Sequence, residues 1–417
     1  MKIHHNFKTG PIKKCQICNS SKIQKVMDFG YQPLADDLIH FKYQSRKTIF
    51  YPLEVMLCSR CTLLQTGYIV GDKTLYSKNY HYLPGISKAV VDNFKKLSVD
   101  LKKIYNLTKS SVVIDVGCND GSLLYEFRKS GISKLIGIEP TDTYKYVKEK
   151  NIRVINSFFN ADASSKAIKI YGNADLIVTT NVFAHSNKLG DFIKSAKKLI
   201  KKNGVFVIEN HYLVDVLKHN QFDTFYHEHL RTYSLKSLII LMKKYNFHLI
   251  DAFNSERYGG NIQAHFSLKK QKYNSRILKI LSNEKKYKLS SINTYKNFFG
   301  KISKAEKQMD NFIKNNMKKK IVVKSFPARA SVLLHYFSSL RKNTSVIFEQ
   351  PSSNKINHYA PGTNIKIKSS AFMKKYKPDI IIILAWHMFD QIKNKWKKKG
   401  LKRVKYVKPL PELKVFK

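Results

Sequence analysis

The sequence predicts an α/β protein built from three consecutive units. Residues 109–131 read as a buried strand, a glycine-containing turn and an amphipathic helix, and more strands and helices alternate after them. Two C-x-x-C pairs stand ahead of this region, and three β-rich runs separated by helical segments follow it in the last quarter of the chain. We therefore expect domains at residues 1–75, 76–255 and 256–417.

The composition is strongly basic. The 417 residues include 76 Lys and Arg against 29 Asp and Glu, which gives a formal charge of +47. Such a charge is compatible with anionic ligands, but the lysines are spread over nearly every segment, as is typical of a solvated basic surface. No apolar run approaches the roughly 18 residues of a membrane helix, and the first residues lack the apolar core of a signal peptide. We expect a cytoplasmic protein without a membrane span.

Four of the five cysteines form two C-x-x-C pairs, Cys15 with Cys18 and Cys58 with Cys61. Two residues between cysteines let one tight turn direct both sulfurs to the same metal ion, and two such turns complete a tetrahedral thiolate site for Zn²⁺. Such a site leaves no open position for water, so the zinc would be structural. Two unrelated redox pairs or buried free thiols are the alternative.

The strand–turn–helix unit carries the pattern D-x-G-x-x-x-G, with Asp115, Gly117 and Gly121 as its fixed positions and Asn119 between the glycines. The G-x-G-x-x-G fingerprint of dinucleotide-binding proteins is not met. The pattern instead resembles the first motif of class I S-adenosylmethionine-dependent methyltransferases, which have a Rossmann-like core. The backbone at Gly117 would then approach the cofactor, and Asp115 would meet its amino group. Another doubly wound fold with a different nucleotide is the alternative.

Two further strands supply the rest of the expected cofactor site. The run "KLIGIEP" reaches Glu139, 22 residues beyond Gly117, where a carboxylate suits the two hydroxyls of an adenosine ribose. The loop "TNVFAH" follows the next strand, at the edge where open α/β sheets bind ligands, and its Asn181 and Val182 are expected to line the pocket. His185 in the same loop is either a hydrogen-bonding group of the site or a structural histidine.

Longer stretches together resemble one family. They are "MDFGYQPLADDLI", "VIDVGCNDGSLL", "FDTFYHEHLRTYSL", "YGGNIQAHF" and "YAPGTNIKI", in this order. The order is similar to that of the nucleotide-sugar C-methyltransferases, which methylate keto-deoxysugars attached to a nucleoside diphosphate. The resemblance covers nearly the whole chain. It implies a zinc-binding N-terminal domain, a methyltransferase core and a smaller C-terminal α/β domain that closes over the substrate.

The resemblance implies a catalytic role for His229, the last histidine of "YHEH", with Tyr226 and Glu228 in support. A histidine can remove a proton from a carbon beside a carbonyl group at neutral pH. The glutamate would fix the tautomer of the imidazole, and the tyrosine would donate a hydrogen bond to the developing enolate oxygen. A structural histidine, or a metal ligand together with His227, is the alternative. The role of His227 is not assigned.

The stretch "NYHYLPG" matches a tyrosine-rich segment that contributes to the active site in the family. The resemblance implies a catalytic contact for Tyr80 and a substrate contact for Tyr82, with Tyr76 nearby. Aromatic packing between domains is the alternative.

The C-terminal half keeps the layout of the family but departs from it in the expected substrate loops. Tyr258 stands where the family has a histidine, ahead of Asn261. "FPARASVLLHYF" replaces a glycine-rich loop with lysine, so Arg329 is the only cation of that loop, and Glu349 and Lys355 take the acidic and basic places of the next segment. Asn261, Arg329 and Lys355 are candidate substrate ligands.

These observations predict a methyltransferase that acts on a nucleotide-sugar or a related glycan precursor, with C-methylation of a keto-deoxysugar as the main interpretation. O-methylation of a sugar or of a phosphorylated glycan precursor would use the same base on a hydroxyl group. A zinc-containing RNA methyltransferase is the alternative from another class. The sequence favours it less, because the chain lacks an Asn-Pro-Pro-Tyr type motif and its zinc segment does not interleave aromatic residues with a basic cluster.

Overall fold

The computed structural model describes residues 6–43, 47–75, 80–149 and 151–417. Among these residues no helix is long and apolar enough to cross a membrane. The chain forms the three expected parts: a small β unit, a core built on a seven-stranded sheet, and an α/β unit built on a six-stranded sheet.

The N-terminal part is an antiparallel β unit around the four cysteines. In its longest pairing, Leu53, Val55 and Leu57 of one strand are buried while the residues between them are partly exposed, which is the alternation of a half-buried strand. A short strand of the core, Arg231–Thr232, joins the edge of this sheet. The elements of this part are β1 (Gly10–Pro11), β2 (Ile23–Pro33), β3 (Ile39–His40), β4 (Phe50–Cys58), β5 (Leu64–Thr66), β6 (Tyr68–Ile69) and α1 (Asp72–Leu75).

The core alternates strands and helices. Its elements are α2 (Lys88–Ile104), β7 (Val112–Val116), α3 (Ser122–Lys129), β8 (Lys134–Ile138), α4 (Tyr144–Glu149), β9 (Arg153–Ile155), α5 (Ala161–Tyr171), β10 (Ala174–Thr180), α6 (Leu189–Leu199), β11 (Ile200–His211), α7 (Leu213–Lys218), β12 (Arg231–Thr232), α8 (Leu235–Lys243), β13 (His248–Ser255) and β14 (Asn261–Ser267). The central sheet has the order β13-β14-β11-β10-β7-β8-β9.

Five neighbouring strands of this sheet, β11, β10, β7, β8 and β9, are parallel, and β14 runs antiparallel between β11 and β13. Both faces of β7 are covered: Val112 and Ile114 pack into one hydrophobic cluster with helix α6, and Val113 packs into another with helices α2 and α3. A strand covered on both faces reads as a nearly continuous apolar run, which is why β7 shows no alternation and why Asp115 is its one polar residue. The expected doubly wound, class I methyltransferase core is confirmed.

The C-terminal part starts with two helices and continues as a second α/β sheet. Its elements are α9 (Ser275–Lys286), α10 (Ile292–Lys314), β15 (Ile321–Lys324), α11 (Ala330–Tyr336), α12 (Ser338–Asn343), β16 (Ile347–Glu349), β17 (His358–Tyr359), β18 (Ile367–Ser369), α13 (Met373–Tyr376), β19 (Ile380–Ile383), α14 (Phe389–Lys398), β20 (Lys405–Lys408) and β21 (Lys414–Phe416). The sheet has the order β18-β16-β15-β19-β20-β21, and only β21 runs antiparallel to its neighbour.

The expected boundary between core and C-terminal part at residue 256 falls inside the core sheet. Strand β14 pairs with β11 from Phe206 and Phe266 to His211 and Asn261. The core sheet therefore extends through Ser267, past the boundary expected at residue 256, because its last hairpin pairs with β11, a strand far upstream that local patterning does not reveal.

Candidate active site

The four predicted metal ligands lie together. The Sγ atoms of Cys15 and Cys61 are 3.5 Å apart, as are those of Cys18 and Cys58, and all four sulfurs lie within 4.8 Å of one another. Zn–S bonds of about 2.3 Å in a tetrahedron place sulfurs about 3.8 Å apart, so the cluster fits Zn²⁺. It is the one group of three or more His, Cys, Asp or Glu side chains within the described ranges that could hold a metal ion.

The expected cofactor loop lies directly after β7. Gly117 and Gly121 both have φ near +72°, a conformation that side chains rarely adopt. A Cβ atom on Gly117 would meet Cγ2 of Val182 at 2.4 Å, so the backbone here is also closely packed against the loop that follows β10. The structure thereby brings Val182 to the same edge of the sheet as the glycine loop.

Asp115 is the acidic group of this site. It is buried, and its Oδ1 atom has no hydrogen-bond partner in the part of the chain that the structure describes. Burial, with a smaller contribution from the negative charge of Glu139, raises the pKa of Asp115 to about 8. A buried carboxyl group with an unused oxygen is suited to a cationic ligand such as the amino group of S-adenosylmethionine. Nδ2 of Asn181 is another buried polar atom at this edge that has no hydrogen-bond partner among the residues described.

Glu139 is held by the same loop. Its carboxylate accepts hydrogen bonds from the backbone N–H of Asn119 at 2.9 Å and from the backbone N–H of Thr141 at 2.8 Å. Burial nevertheless raises the pKa of Glu139. Oε1 of Glu139 also accepts from the hydroxyl of Thr141 at 2.6 Å, so the lone pair that remains for a ribose hydroxyl is on Oε2. The residues present therefore fit S-adenosylmethionine.

A segment after α1 covers the loop. The carbonyl oxygen of Tyr82 accepts a hydrogen bond from Nδ2 of Asn119 at 3.0 Å, and the N–H of Gly85 donates to Oδ2 of Asp120 at 2.8 Å. The hydroxyl of Tyr82 is hydrogen-bonded to that of Tyr258. Tyr80 lies half-buried at the start of this segment, and Tyr76 falls outside the described residues.

The stretch "YHEH" is a turn between a 3₁₀ helix, Phe222–Thr224, and β12. The N–H of His229 donates to the carbonyl oxygen of Tyr226 at 2.8 Å, which closes the turn. The turn brings the two outer side chains together, since Nε2 of His229 lies 2.8 Å from the hydroxyl of Tyr226. On the other side of the ring, Nδ1 of His229 lies 2.8 Å from the carbonyl oxygen of Thr224.

These two contacts define the tautomer of His229. A carbonyl oxygen only accepts, so Nδ1 carries the hydrogen and Nε2 accepts from the hydroxyl of Tyr226. Burial lowers the pKa of His229 well below its ordinary value, and the neighbouring histidines His185 and His211 lower it further. Their ring centroids lie 4.8 Å and 5.1 Å from that of His229. The imidazole is therefore neutral, with its lone pair on Nε2.

Glu228 does not fix this tautomer, contrary to the sequence expectation. Both ring nitrogens of His229 have other partners, and the charges that act on the buried Glu228 carboxyl are those of Asp36 and Lys355. Burial and then the negative charge of Asp36 raise its pKa well above the ordinary value. The Thr224 carbonyl does what was assigned to Glu228.

His227 lies against the N-terminal part. Its Nε2 is 3.3 Å from the carbonyl oxygen of Pro52 in β4, and its ring packs edge-on against Tyr51. Burial lowers its pKa to about 4. His227 and His229 face different partners, so the structure contradicts a shared metal site and gives His227 a place in the contact between two domains.

Two candidate substrate cations are already paired. Arg329 donates from Nε to Oδ2 of Asp223 at 2.8 Å and from its NH2 nitrogen to Oδ1 at 2.6 Å, and Lys355 donates to Oδ1 of Asp36 at 3.0 Å. The side chains of both ion pairs are at most 8% exposed. Both candidate substrate ligands are therefore engaged within the protein, where each joins the C-terminal part to another part of the chain.

Asn261 lies behind the cofactor loop. Its Nδ2 donates to Oε1 of Glu209 at 2.9 Å and to Oδ1 of Asn181 at 3.4 Å, and the residue is fully buried. The same glutamate forms an ion pair with Arg257 at 3.3 Å. Asn261 thus supports the loop that carries Asn181, which differs from the direct substrate contact expected from the sequence.

Three groups of this region were missed in the sequence. His211 ends β11 and lies beside His229, with its Nδ1 unpartnered among the described residues. Asp223 and Trp386 are hydrogen-bonded to each other, from Nε1 to Oδ2 at 2.9 Å. The position of His211 at the carboxyl end of a core strand was the available signal. The contact between Asp223 and Trp386 joins residues 163 positions apart, so no local pattern in the sequence could indicate it.

A cleft of about 900 Å³ opens between the core and the C-terminal part. Tyr258 lines it, and the ring of Tyr258 lies 6.1 Å from that of His211, which connects the cleft to the histidine cluster. The lining includes aromatic and basic side chains together with two carboxyl groups, and these residues are Tyr258, Trp386, His219, His387, Lys218, Lys408, Arg257, Asp215 and Glu256.

Comparison with known proteins agrees with this organisation. Residues 15–76 match the family described as "Putative zinc binding domain", residues 86–252 match a methyltransferase domain, and residues 256–411 match a C-methyltransferase C-terminal domain. The C-methyltransferase NovU of Streptomyces niveus is 25% identical over 418 residues, which cover 97% of this chain and 97% of that protein.

Two further similar proteins match a smaller part of the chain. The ubiquinone biosynthesis O-methyltransferase of Pelagibacter ubique is 29% identical over 140 residues, covering 33% of this chain and 55% of that protein. A solved SAM-dependent methyltransferase from Anabaena variabilis has a TM-score of 0.33 and 14% identity, covering 42% of this chain and 84% of that chain. The three matches follow one another in the order zinc-binding domain, methyltransferase domain and C-methyltransferase C-terminal domain, so the chain is an S-adenosylmethionine-dependent methyltransferase with the domain organisation of a C-methyltransferase.

Proposed function

We propose that the protein transfers a methyl group to the carbon beside the carbonyl group of a nucleotide-linked keto-deoxysugar, with His229 as the general base. The observation that carries the proposal is the tautomer of His229. Its Nδ1–H is engaged by the carbonyl oxygen of Thr224, so the lone pair of Nε2 faces the hydroxyl of Tyr226. A neutral imidazole with an available lone pair is the form that accepts a proton.

The proton transfer can be written with its atoms balanced. Nε2 of His229 takes the proton from the carbon beside the carbonyl, and the electron pair of the broken C–H bond forms the enolate. The hydroxyl of Tyr226, released from Nε2, donates to the enolate oxygen. Bound S-adenosylmethionine would supply the electrophilic methyl group: the new carbon–carbon bond would form as the methyl–sulfur bond breaks, the sulfur would keep that electron pair as S-adenosylhomocysteine leaves, and the proton would stay on Nε2 of His229 until solvent takes it.

The low pKa of His229 makes it a weak base, and the burial that causes this also favours the reaction. An imidazolium and an enolate form together, and their mutual attraction is stronger where water is excluded. Tyr226 and His229 are both buried. The hydroxyl of Tyr226 thus provides a preorganised donor to the enolate oxygen, and the imidazolium of His229 provides a positive charge beside the negative charge of the enolate.

The cleft supports a large anionic acceptor. Lys218 and Lys408 line it from the core and from the C-terminal part, and Trp386 and His387 offer aromatic surface near the histidine cluster. Two ammonium groups suit a diphosphate, and ring faces suit a nucleobase. This arrangement replaces Arg329 and Lys355 as the expected cationic contacts, since those two are paired within the protein.

The relatives support carbon rather than oxygen as the methylated atom. The C-terminal match is to a C-methyltransferase domain, and NovU, which is similar along 97% of the chain, is a C-methyltransferase. Deprotonation of carbon also explains the need for a buried base, whereas methylation of a nucleobase nitrogen would not require this arrangement.

A mass-spectrometric assay with S-adenosylmethionine tests the proposal. Its panel contains nucleotide-linked keto-deoxysugars, ordinary nucleotide sugars and bulk RNA. We expect the mass of one methylene unit to be gained by a keto-deoxysugar alone. Transfer to RNA, or to an ordinary nucleotide sugar without a ketone, would contradict the proposed substrate class.

The base assignment is tested with His229→Gln. We expect the variant to bind S-adenosylhomocysteine as the wild type does, because the cofactor loop is separate from the turn, and to lose methyl transfer. Turnover near the wild-type level would exclude His229 as the base.

A further inference from the structure

The turn that carries His229 is held at both ends by other domains. After the turn, β12 pairs with β5 of the N-terminal part, with Arg231 opposite Gln65 and Thr232 opposite Leu64. Before the turn, the 3₁₀ helix Phe222–Thr224 is held by the C-terminal part through Asp223. Each end of the turn is therefore held by a contact with a part of the chain outside the core.

The contact before the turn is a buried carboxylate with three donors from the C-terminal part. Arg329 reaches Asp223 with two parallel N–H groups, at 2.8 Å and 2.6 Å, and Nε1 of Trp386 donates at 2.9 Å. Asp223 is fully buried, and Arg329 and Trp386 are only 6% and 5% exposed. A paired guanidinium fixes a carboxylate in both direction and distance, which a single hydrogen bond does not.

Arg329 also reaches the backbone and side chains around Asp223. Its NH1 nitrogen donates to the carbonyl oxygen of Tyr258 at 3.1 Å, and its NH2 nitrogen donates to Oε1 of Gln221 at 3.1 Å. The guanidinium thus connects the 3₁₀ helix, the wall of the cleft and the first loop of the C-terminal sheet. Its position leaves it little freedom to serve as a substrate ligand.

Asp223 is adjacent in the chain to the group that sets the tautomer of His229. The backbone carbonyl of Thr224 accepts from Nδ1 of His229 at 2.8 Å, and the hydroxyl of Thr224 lies 3.3 Å from the same nitrogen. A rotation of the 3₁₀ helix would move this carbonyl and leave Nδ1 without its acceptor. The imidazole could then place its hydrogen on either nitrogen.

We propose that Asp223 is a positioning residue through which Arg329 and Trp386 of the C-terminal domain keep His229 in its proton-accepting tautomer. The inference rests on the proposed function, in which His229 is the base. It assigns a second role to the C-terminal domain: besides forming one wall of the cleft, this domain sets the orientation of the catalytic turn.

The test uses the full-length protein and three variants of the contact. Asp223→Asn keeps the size of the side chain and removes its charge, Arg329→Lys keeps a positive charge and removes the paired geometry, and Trp386→Phe removes one hydrogen bond and keeps a ring. Asp251→Asn is the matched control, because Arg276 also binds Asp251 through Nε at 3.1 Å and NH2 at 2.9 Å, away from the turn.

Two readouts are combined. Nitrogen-15 NMR of histidine-labelled protein reports the tautomer of His229, which is assigned by its absence in His229→Gln, and it needs no acceptor. Steady-state kinetics are measured with the keto-sugar that gains a methyl group.

We expect Asp223→Asn to lower kcat about 100-fold, as expected for a misplaced base, with little change in the KM of the acceptor. The imidazole signal would shift from the Nδ1–H form to a mixture of tautomers.

We expect Arg329→Lys to change kcat and the tautomer of His229 in the same direction as Asp223→Asn but by less. Trp386→Phe should show the smallest of the three changes. The control Asp251→Asn should keep the wild-type kcat and tautomer. If Asp223→Asn matches Asp251→Asn in both kcat and tautomer, the proposal is overturned. If Asp223→Asn does not fold, as judged by binding of S-adenosylhomocysteine, Trp386→Phe decides: a mixed tautomer supports the proposal, and an unchanged one overturns it. A shifted tautomer together with full turnover in His229→Gln would reject the base assignment and leave the positioning contact standing.

Discussion

The backbone carbonyl oxygen of Thr224 accepts a hydrogen bond from Nδ1 of His229 at 2.8 Å. Because a carbonyl oxygen cannot donate, this contact decides which ring nitrogen carries the hydrogen and leaves Nε2 to face Tyr226. The glutamate inside "YHEH" is not needed for this purpose. The chemistry of the site depends on the backbone of a short 3₁₀ helix and on whatever holds that helix in place.

The pH dependence of kcat/KM should reflect the buried state of His229. Protonation would place a charge in a site that excludes water, so burial favours the neutral form and lowers the pKa well below the ordinary value. The base therefore stays available as the pH falls through about 6.5, where an exposed histidine is half protonated. We expect the acid limb of the profile to lie below pH 6.5. A midpoint at or above that value would contradict the assigned environment.

Replacement of Tyr226 by Phe should separate catalysis from stability. The hydroxyl of Tyr226 is the donor to Nε2 and the expected donor to the enolate oxygen, so kcat should fall by about 100- to 1000-fold, as when one oxyanion donor is lost. Tyr295→Phe is the matched control, because Tyr295 is also buried and donates to the carbonyl oxygen of Leu289 at 2.7 Å, far from the turn. The control should lose stability in a thermal melt and keep kcat. Equal kcat values for the two variants would remove Tyr226 from the mechanism.

Binding of S-adenosylmethionine should release a proton near neutral pH. The pKa of Asp115 is about 8 because burial disfavours its carboxylate, so this group is mostly protonated at pH 7 before the cofactor binds. A cationic amino group beside it favours the carboxylate and expels the proton. Affinity should therefore rise with pH until about 8 and then level off.

Calorimetry in buffers of different ionisation enthalpy measures this release. We expect up to about one proton at pH 7, falling to none well above the pKa. Asp115→Asn should bind more weakly and release none. An observed enthalpy that is the same in every buffer at pH 7 would argue against a protonated Asp115.

The zinc site should be structural. Cys61→Ser should lose the metal, measured as zinc per chain by elemental analysis, and lower the thermal unfolding midpoint, because metal binding is folding free energy for such a unit. Cys118→Ser is the control, since Cys118 is the fifth cysteine and lies outside the cluster. The control should retain one zinc. A Cys61→Ser protein with full zinc content would show that the four sulfurs do not form the site.

Short sequence patterns predicted the strand of the cofactor loop, one acidic residue of the cofactor site and the cysteine cluster. The strand before Gly117, the carboxylate at Glu139 and the convergence of Cys15, Cys18, Cys58 and Cys61 follow from runs and spacings within short segments, and the structure has them. The order of the three domains followed from the family resemblance.

The partners that the sequence did not reveal are those of long-range contacts. Arg329 and Lys355 look like free cations in the sequence, but their partners Asp223 and Asp36 are 106 and 319 residues away. A backbone carbonyl such as that of Thr224 leaves no residue signature, so an adjacent glutamate was the natural but wrong choice for orienting His229. The pairing of the core hairpin that ends at Ser267 with β11 is also a long-range contact.

The most direct measurement follows the hydrogen on the methylated carbon. The substrate is a nucleotide-linked keto-deoxysugar that carries deuterium at the carbon beside its carbonyl. It is incubated with the protein and S-adenosylmethionine. Mass spectrometry then gives the mass of the product, and NMR assigns the position of its methyl group. We predict a product that gains a carbon-bound methyl group and loses one deuterium, with no product from His229→Gln. A product that keeps its deuterium and carries the methyl group on oxygen, or one formed equally well by His229→Gln, would contradict carbon methylation with His229 as the base.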